Sequence, residues 1–190
     1  MAGEAYNVAD PASCAQLRDF AKYAAEAADV NVTFAKQSEV EQTGYSKITK
    51  ATLNVDKLWR RQGVRSLSGK YDRCLDVATG TADLALALVR SGKVRNVEGI
   101  DLSSEMMKIG AEKVAKHGLG SQISFRLADC AELPYADDSF DLVTCSYGVR
   151  NFARLDDSLR EMYRVIRPGG ELMILEFAYP SNPLVRALYD

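Results

Sequence analysis

Histidine is almost missing from this 190-residue chain, where His117 stands alone. A zinc site built on several histidines cannot be assembled, and a Ser-His-Asp triad would have to use that one side chain. The four cysteines, Cys14, Cys74, Cys130 and Cys145, include no CxxC pair, which removes a zinc knuckle or a dithiol motif. They are expected as small core residues in a reducing compartment, and no metal is expected. A basic excess is missing too. With 24 Lys+Arg against 26 Asp+Glu the net charge is −2, so there is no electrostatic footprint for nucleic acid. No apolar run approaches the ~20 residues needed to span a bilayer. The opening MAGEAYNVADPAS lacks the basic and apolar regions of a signal peptide, and a cytoplasmic location is the expectation.

What is present is ordinary globular material, 47% hydrophobic and 26% charged. The length suits one domain with an appendage. Residues 1–69 form a first region, polar and alanine-rich. Apolar residues recur there at helical spacing in Leu17, Phe20, Ala21 and Ala24, and again in Leu58, Trp59 and Val64. The stretch NVTFAKQSEVEQTGYSK between them has no clear period and reads as a loop. Ser68-Gly69 closes the region.

Residues 70–190 form the second region, where strands and helices alternate. Cys74–Ala78 is a short apolar run entering a Gly/Thr turn, and Ala82–Val89 is strongly helix-forming. A second strand is predicted at Val97–Ile100, then a helix over Ser104–His117 stopped by Gly118. Further strands are predicted at Ile123–Leu127, Phe140–Ser146 and Leu172–Phe177, with a helix at Asp156–Ile166 ended by Pro168-Gly169-Gly170. This alternation predicts a parallel α/β sheet covered on both faces, whose ligand crevice lies outside the carboxyl ends of its strands.

Each strand end carries a candidate. After the first comes Asp76-Val77-Ala78-Thr79-Gly80-Thr81: Gly80 permits a tight turn and close backbone approach, and Thr81 stands where a helix start offers N–H groups. The segment is neither GxGxxG nor a P-loop, and a plain strand-to-helix turn is the other reading. Asp101 ends the second strand, where a carboxylate can accept both hydroxyls of a ribose; a helix N-terminal charge is the alternative. Asp129-Cys130 follows the third strand, suited to an adenine amino group or to capping a turn. Asp137-Asp138-Ser139-Phe140-Asp141 reads as a solvated turn. After the fourth strand comes Ser146-Tyr147-Gly148-Val149-Arg150-Asn151, in which Arg150 can bind an oxyanion or orient an acceptor, against the commoner surface ion pair.

The segments LDVATGTADLAL, GIDLSSEMMKIGAEK, ADCAELPYADDSFDLVTCSYGVRNF and LREMYRVIRPGGELMILEF, in this order, resemble a class I S-adenosylmethionine-dependent methyltransferase. The last two are similar to the ubiquinone/menaquinone biosynthesis C-methyltransferases in particular, over about residues 71–180. The resemblance implies a Rossmann-like, mostly parallel sheet of order 3-2-1-4-5 with an N-terminal helical lid. It implies S-adenosylmethionine as cofactor, bound by Asp76, Gly80, Thr81, Asp101, Leu102, Asp129, Cys130 and Ser146. Arg150 would be the catalytic residue, and the acceptor a prenylated quinol methylated on a ring carbon, with at most peripheral membrane contact. Another small acceptor, or a non-catalytic partner subunit, are the alternative functions.

The chain departs from the family pattern in three places. Ala82 stands where most relatives would have glycine. Tyr45-Ser46 and Asn54-Val55-Asp56 replace the expected N-terminal residues, leaving Trp59-Arg60 as the match there. The family fold would continue through a helix and two strands beyond Asp190, so the last two strands of its sheet are expected to be missing. LMILEF is then expected as an apolar sheet edge that pairs with a second copy or a partner, or is covered by the N-terminal helices, or marks a truncated product.

Overall fold

The computed structural model describes residues 31–34 and 52–176, with side chains from residue 57 to 176. In chain order it comprises β1 (Asn31–Phe34), α1 (Thr52–Ser66), β2 (Tyr71–Val77), α2 (Asp83–Arg90), β3 (Val94–Asp101), α3 (Ser104–Lys116), β4 (Ile123–Leu127), β5 (Phe140–Ser146), a 3₁₀ turn (Val149–Asn151), α4 (Leu155–Arg164) and β6 (Ile166–Leu175). The expected helix around Leu17–Ala24, Cys14, the Tyr45-Ser46 site, and Phe177 onward lie outside the described residues.

The strands form one sheet of order β1-β6-β5-β2-β3-β4, parallel at every pairing. Read from β4, this is the anticipated order 3-2-1-4-5 followed by β1. The chain winds outward from β2 through β3 to β4, then returns to β5 on the other side of β2. The strand order reverses between β2 and β5, and loops leaving those two neighbours part in opposite directions to open a crevice.

Two core clusters lie on the two faces of the sheet, as strand alternation requires. Leu75, Val77, Val143, Leu172 and Ile174 join Leu159 and Met162 of α4 in one. Cys74, Val97, Leu142 and Met173 join Val64, Leu84, Leu88 and Val114 in the other. β5 is buried along its length except at Ser146, which explains why it reads as a nearly unbroken apolar run. The described thiols, Cys74, Cys130 and Cys145, are all free and buried.

The two ends of the sheet differ. Beneath the strands, away from the crevice, buried Glu171 accepts hydrogen bonds from the Ser68 N–H and hydroxyl and from the Tyr71 hydroxyl. Buried Asp141 similarly accepts from the backbone N–H groups of Asp72 and Arg73 and pairs with Arg167. These carboxylates tie the strand starts together.

Two expectations need correction. Part of the stretch read as a loop is a strand: Asn31–Phe34 pairs in register with Glu171–Ile174. The β6 edge is therefore taken by β1, a strand from the N-terminal region, where pairing with a second chain or cover by N-terminal helices was expected. Four residues without flanking turn signals carry too little periodicity to mark a strand, and the pairing is made by residues 140 positions away. The Pro168-Gly169-Gly170 segment also belongs to β6 rather than to a separate turn, with an irregular register between Phe140 and Leu142.

Candidate functional site

A cavity of about 490 Å³ lies at the carboxyl ends of β2, β3, β4 and β5. Its lining includes all eight residues proposed from sequence as cofactor contacts: Asp76, Gly80, Thr81, Asp101, Leu102, Asp129, Cys130 and Ser146. Arg150 is not part of that lining.

The backbone of the first turn is shaped for close approach. Ala78, Gly80 and Ala82 have φ of 53°, 54° and 62°, a left-handed conformation that is free for glycine and costs alanine roughly 1 kcal/mol. Ala82 therefore differs from a glycine in more than packing room. Thr79 crosses back over β3, its N–H donating to the Ile100 carbonyl at 2.9 Å. A Cβ at Gly99 would stand 2.8 Å from Thr79, so that crossing requires glycine on the neighbouring strand. A Cβ at Gly148 would stand 2.6 Å from Ala78 Cβ and 2.9 Å from Cys145 Sγ. The turns after β2 and β5 thus meet at a point where no larger residue fits.

Three of the carboxylates that line the cavity are each held in a different way. Asp101 is held by backbone alone: Oδ2 accepts from Gly80 N–H at 2.8 Å and Oδ1 from Ser103 N–H at 2.9 Å. Each oxygen keeps acceptor capacity for a second donor, which is what a pair of vicinal hydroxyls requires. Asp129 accepts from Ala131 N–H at 2.9 Å and pairs with Arg154 at 3.1 Å. The backbone bond, helped by the guanidinium, holds its carboxyl below the usual range. Asp76 is buried, with Oδ2 accepting from the Thr79 hydroxyl and Oδ1 from the Thr144 hydroxyl, each at 2.7 Å. Burial pushes its carboxyl up to about 6, against the opposing pull of the two hydroxyls and of Arg60.

The hydroxyls complete the picture. Thr81 accepts from Lys113 Nζ at 2.8 Å and donates to Asp83. Ser146 Oγ is buried and has no hydrogen-bond partner among the described residues, although it ends a central strand. A buried hydroxyl without a partner is costly and points to a ligand that supplies one. Cys130 packs beside the cavity, its thiol against Ser158 Oγ at 3.2 Å and pushed up by burial.

Arg150 lies just outside, on the 3₁₀ turn after β5. Its Nη1 is 3.0 Å from Glu176 Oε1, and its guanidinium lies 5.7 Å from the Tyr147 ring centroid. Tyr147 itself has φ 59°, strained for a tyrosine. Sequence reasoning did not single out Arg60, Arg154 or Met106, all of which line the cavity. For Arg60 a signal existed in the matching Trp59-Arg60 pair. No cluster among the described residues could hold a metal ion.

The residues present fit an adenosyl cofactor. Asp101 suits a ribose, the exposed apolar side chains of Leu102 and Met106 suit the face of a base, and the orphaned Ser146 hydroxyl suits a polar group farther along. Parallel sheet, reversal point and crevice are those of a Rossmann-like fold, and the comparisons place it in the class I methyltransferases, whose cofactor is S-adenosylmethionine. The crystal structure of YcgJ from Bacillus subtilis is similar, with a TM-score of 0.61 and 25% identity over 70% of this chain and 56% of that one. The sequence matches the ubiE/COQ5 methyltransferase family over residues 29–190, and the chain belongs to that family. It is 42% identical to the ubiquinone/menaquinone biosynthesis C-methyltransferase UbiE of Geotalea daltonii, over 73% of this chain and 60% of that protein. It is 46% identical to the demethylmenaquinone methyltransferase of Porphyromonas gingivalis, over 67% of this chain and 53% of that protein. The chain thus spans between half and two thirds of the length of these relatives.

Proposed function

We propose that this chain is the cofactor-binding part of an enzyme that transfers a methyl group to a ring carbon of a prenylated quinol, of the demethylmenaquinol type. The observation that carries the reading is Asp101, fixed by two backbone N–H groups and open to the cavity beside Leu102. The names of the matched relatives support the quinol acceptor.

S-adenosylmethionine supplies an electrophilic methyl on a positive sulfonium. The protein's task is then to place donor and ring carbon in line and to help the acceptor hydroxyl give up its proton, because an ionised hydroxyl makes its ring carbon nucleophilic. Asp101 would hold the ribose and Asp129 with Cys130 the base. Ser146 and Thr81 would bound the amino-acid end. Arg150 would stabilise the developing phenolate from the rim, its guanidinium oriented by Glu176. Because Arg150 stands outside the nucleoside-sized cavity, the acceptor would extend over the 3₁₀ turn to meet it.

No helix among the described residues is long and apolar enough to cross a membrane. A cytoplasmic enzyme meeting its prenylated acceptor at the bilayer surface is the arrangement proposed. The test is transfer of labelled methyl from S-adenosylmethionine to demethylmenaquinol, run beside a panel of small phenols. Turnover selective for the quinol supports the reading. Turnover of the phenols alone gives the enzyme a different acceptor, and cofactor binding without any turnover makes it a partner subunit.

A further inference from the structure

The loop between β4 and β5 carries Asp129 and Cys130 to the cavity, yet residues 128–139 contain no helix or strand. A segment without regular structure has to be held from outside, because its backbone groups have no ladder to join. The holder is α4. Arg154, Ser158, Glu161 and Arg164 recur at intervals of four, three and three residues, which sets them on one side of a helix. They meet the loop in chain order. Arg154 Nη2 donates to Asp129 Oδ2 at 3.1 Å, and the Cys130 thiol donates to Ser158 Oγ at 3.2 Å. Glu161 Oε2 accepts from the Leu133 N–H at 2.7 Å. Arg164 donates to the Leu133 and Tyr135 carbonyls at 3.1 and 2.8 Å, and to Asp137 Oδ1 at 2.8 Å.

Arg164 is fully committed to this task. Its other two N–H groups go to Glu161, Nε to Oε1 and Nη2 to Oε2, each at 2.7 Å, so all five donors of the guanidinium have partners. The same contacts hold the Glu161 carboxyl below its usual range. With side chains 31% and 22% exposed, the pair adds little stability as an ion pair alone. Its effect is geometric: the carboxylate fixes the fork that reaches two loop carbonyls, and a lysine has no such fork. The loop is pinned on its other side by Tyr135, whose hydroxyl donates to Glu98 Oε1 of β3 at 2.7 Å. Neither Glu161 nor Arg164 lines the cavity.

We propose that Glu161 and Arg164 are positioning residues for base selection: acting through the backbone of residues 133–137, they set where the Asp129 carboxylate stands toward the cofactor's base. This rests on the cofactor reading above, with Asp129 at the base. A carboxylate there accepts a hydrogen from the exocyclic amino group of adenine and faces a bare oxygen in hypoxanthine. A displaced Asp129 therefore loses the discrimination between the two bases before it loses the rest of the ligand.

The experiment is calorimetric titration of the 190-residue chain with S-adenosylhomocysteine and with S-inosylhomocysteine, in which an oxygen replaces the amino group. It is run for the wild type, Arg164→Lys and Glu161→Gln, with a urea midpoint taken for each. The wild type should prefer the adenosyl ligand by roughly 10- to 100-fold, the range for a hydrogen bond to a charged group. Arg164→Lys keeps the charge and loses the fork, and should reduce that preference to about threefold or less while moving the inosyl affinity less than about twofold. Glu161→Gln keeps an acceptor for Leu133 and should fall between. Either variant decides the matter alone if the other does not fold. A lowered urea midpoint with the preference intact overturns the proposal and leaves the two residues a role in the fold only. Equal weakening of both ligands overturns it as well. A wild type that binds both ligands equally overturns this inference and leaves the cofactor reading intact. A folded wild type that binds neither removes the cofactor reading itself.

Discussion

Arg150 Nη1 lies 3.0 Å from Glu176 Oε1, and the Glu176 side chain is only 1% exposed while that of Arg150 is 32% exposed. The pair joins the turn after β5 to the end of β6, so the arginine has a structural task besides any task at the acceptor. Arg150→Ala withdraws the cation from a buried carboxylate and should cost about 1–3 kcal/mol, less than a fully buried pair because the arginine reaches solvent. The double variant Arg150→Ala/Glu176→Gln, which removes both charges, should regain most of that loss. In the labelled-methyl assay both should show lowered kcat with nearly unchanged cofactor affinity. Urea unfolding tests the stability arm: a double variant no more stable than the single would exclude the pair as the source of the cost.

Asp76 gives the fold a pH dependence of predictable sign. Its carboxyl moves from an ordinary 3.8 to about 6 on folding, because burial disfavours the charge more than the Thr79 and Thr144 hydroxyls favour it. The folded state therefore binds the proton more tightly than the unfolded chain does. This contribution to stability is fullest below the unfolded pKa and is lost as pH rises through 6. Relative to Asp76→Asn, which cannot ionise, the wild type should lose about 2 kcal/mol between pH 4.5 and 7.5. Urea midpoints at the two pH values measure it, and parallel profiles for the two proteins would contradict it.

Ser146 separates folding from binding. Its Oγ has no partner among the described residues, so Ser146→Ala should leave the urea midpoint unchanged or slightly raised. Affinity for S-adenosylhomocysteine should fall about 3- to 15-fold, the worth of one neutral hydrogen bond. Lower stability with undiminished affinity would show that the hydroxyl serves the fold instead.

The strands from β2 onward were legible because interior parallel strands are unbroken apolar runs, and Gly80 and Asp101 stand where such runs stop. The cavity lining followed for the same reason, since topology sends every strand's carboxyl end to one crevice. What escaped the sequence depends on distant partners. Asn31–Phe34 becomes a strand through β6, and an arginine on an amphipathic helix, such as Arg60, carries no local mark of the cavity it enters. The tie between Arg150 and Glu176 spans 26 positions, and no spacing rule connects them.

The most direct measurement is calorimetric titration of the chain and of Asp101→Asn with S-adenosylhomocysteine at neutral pH. An asparagine keeps one acceptor oxygen but loses the charge and the second acceptor, so it can no longer take both ribose hydroxyls as the carboxylate does. The wild type should bind saturably and one to one, and Asp101→Asn should bind about 10- to 100-fold more weakly. A wild type that is folded by circular dichroism yet does not bind, or an Asp101→Asn that binds as tightly, would contradict the assignment of this cavity to the cofactor.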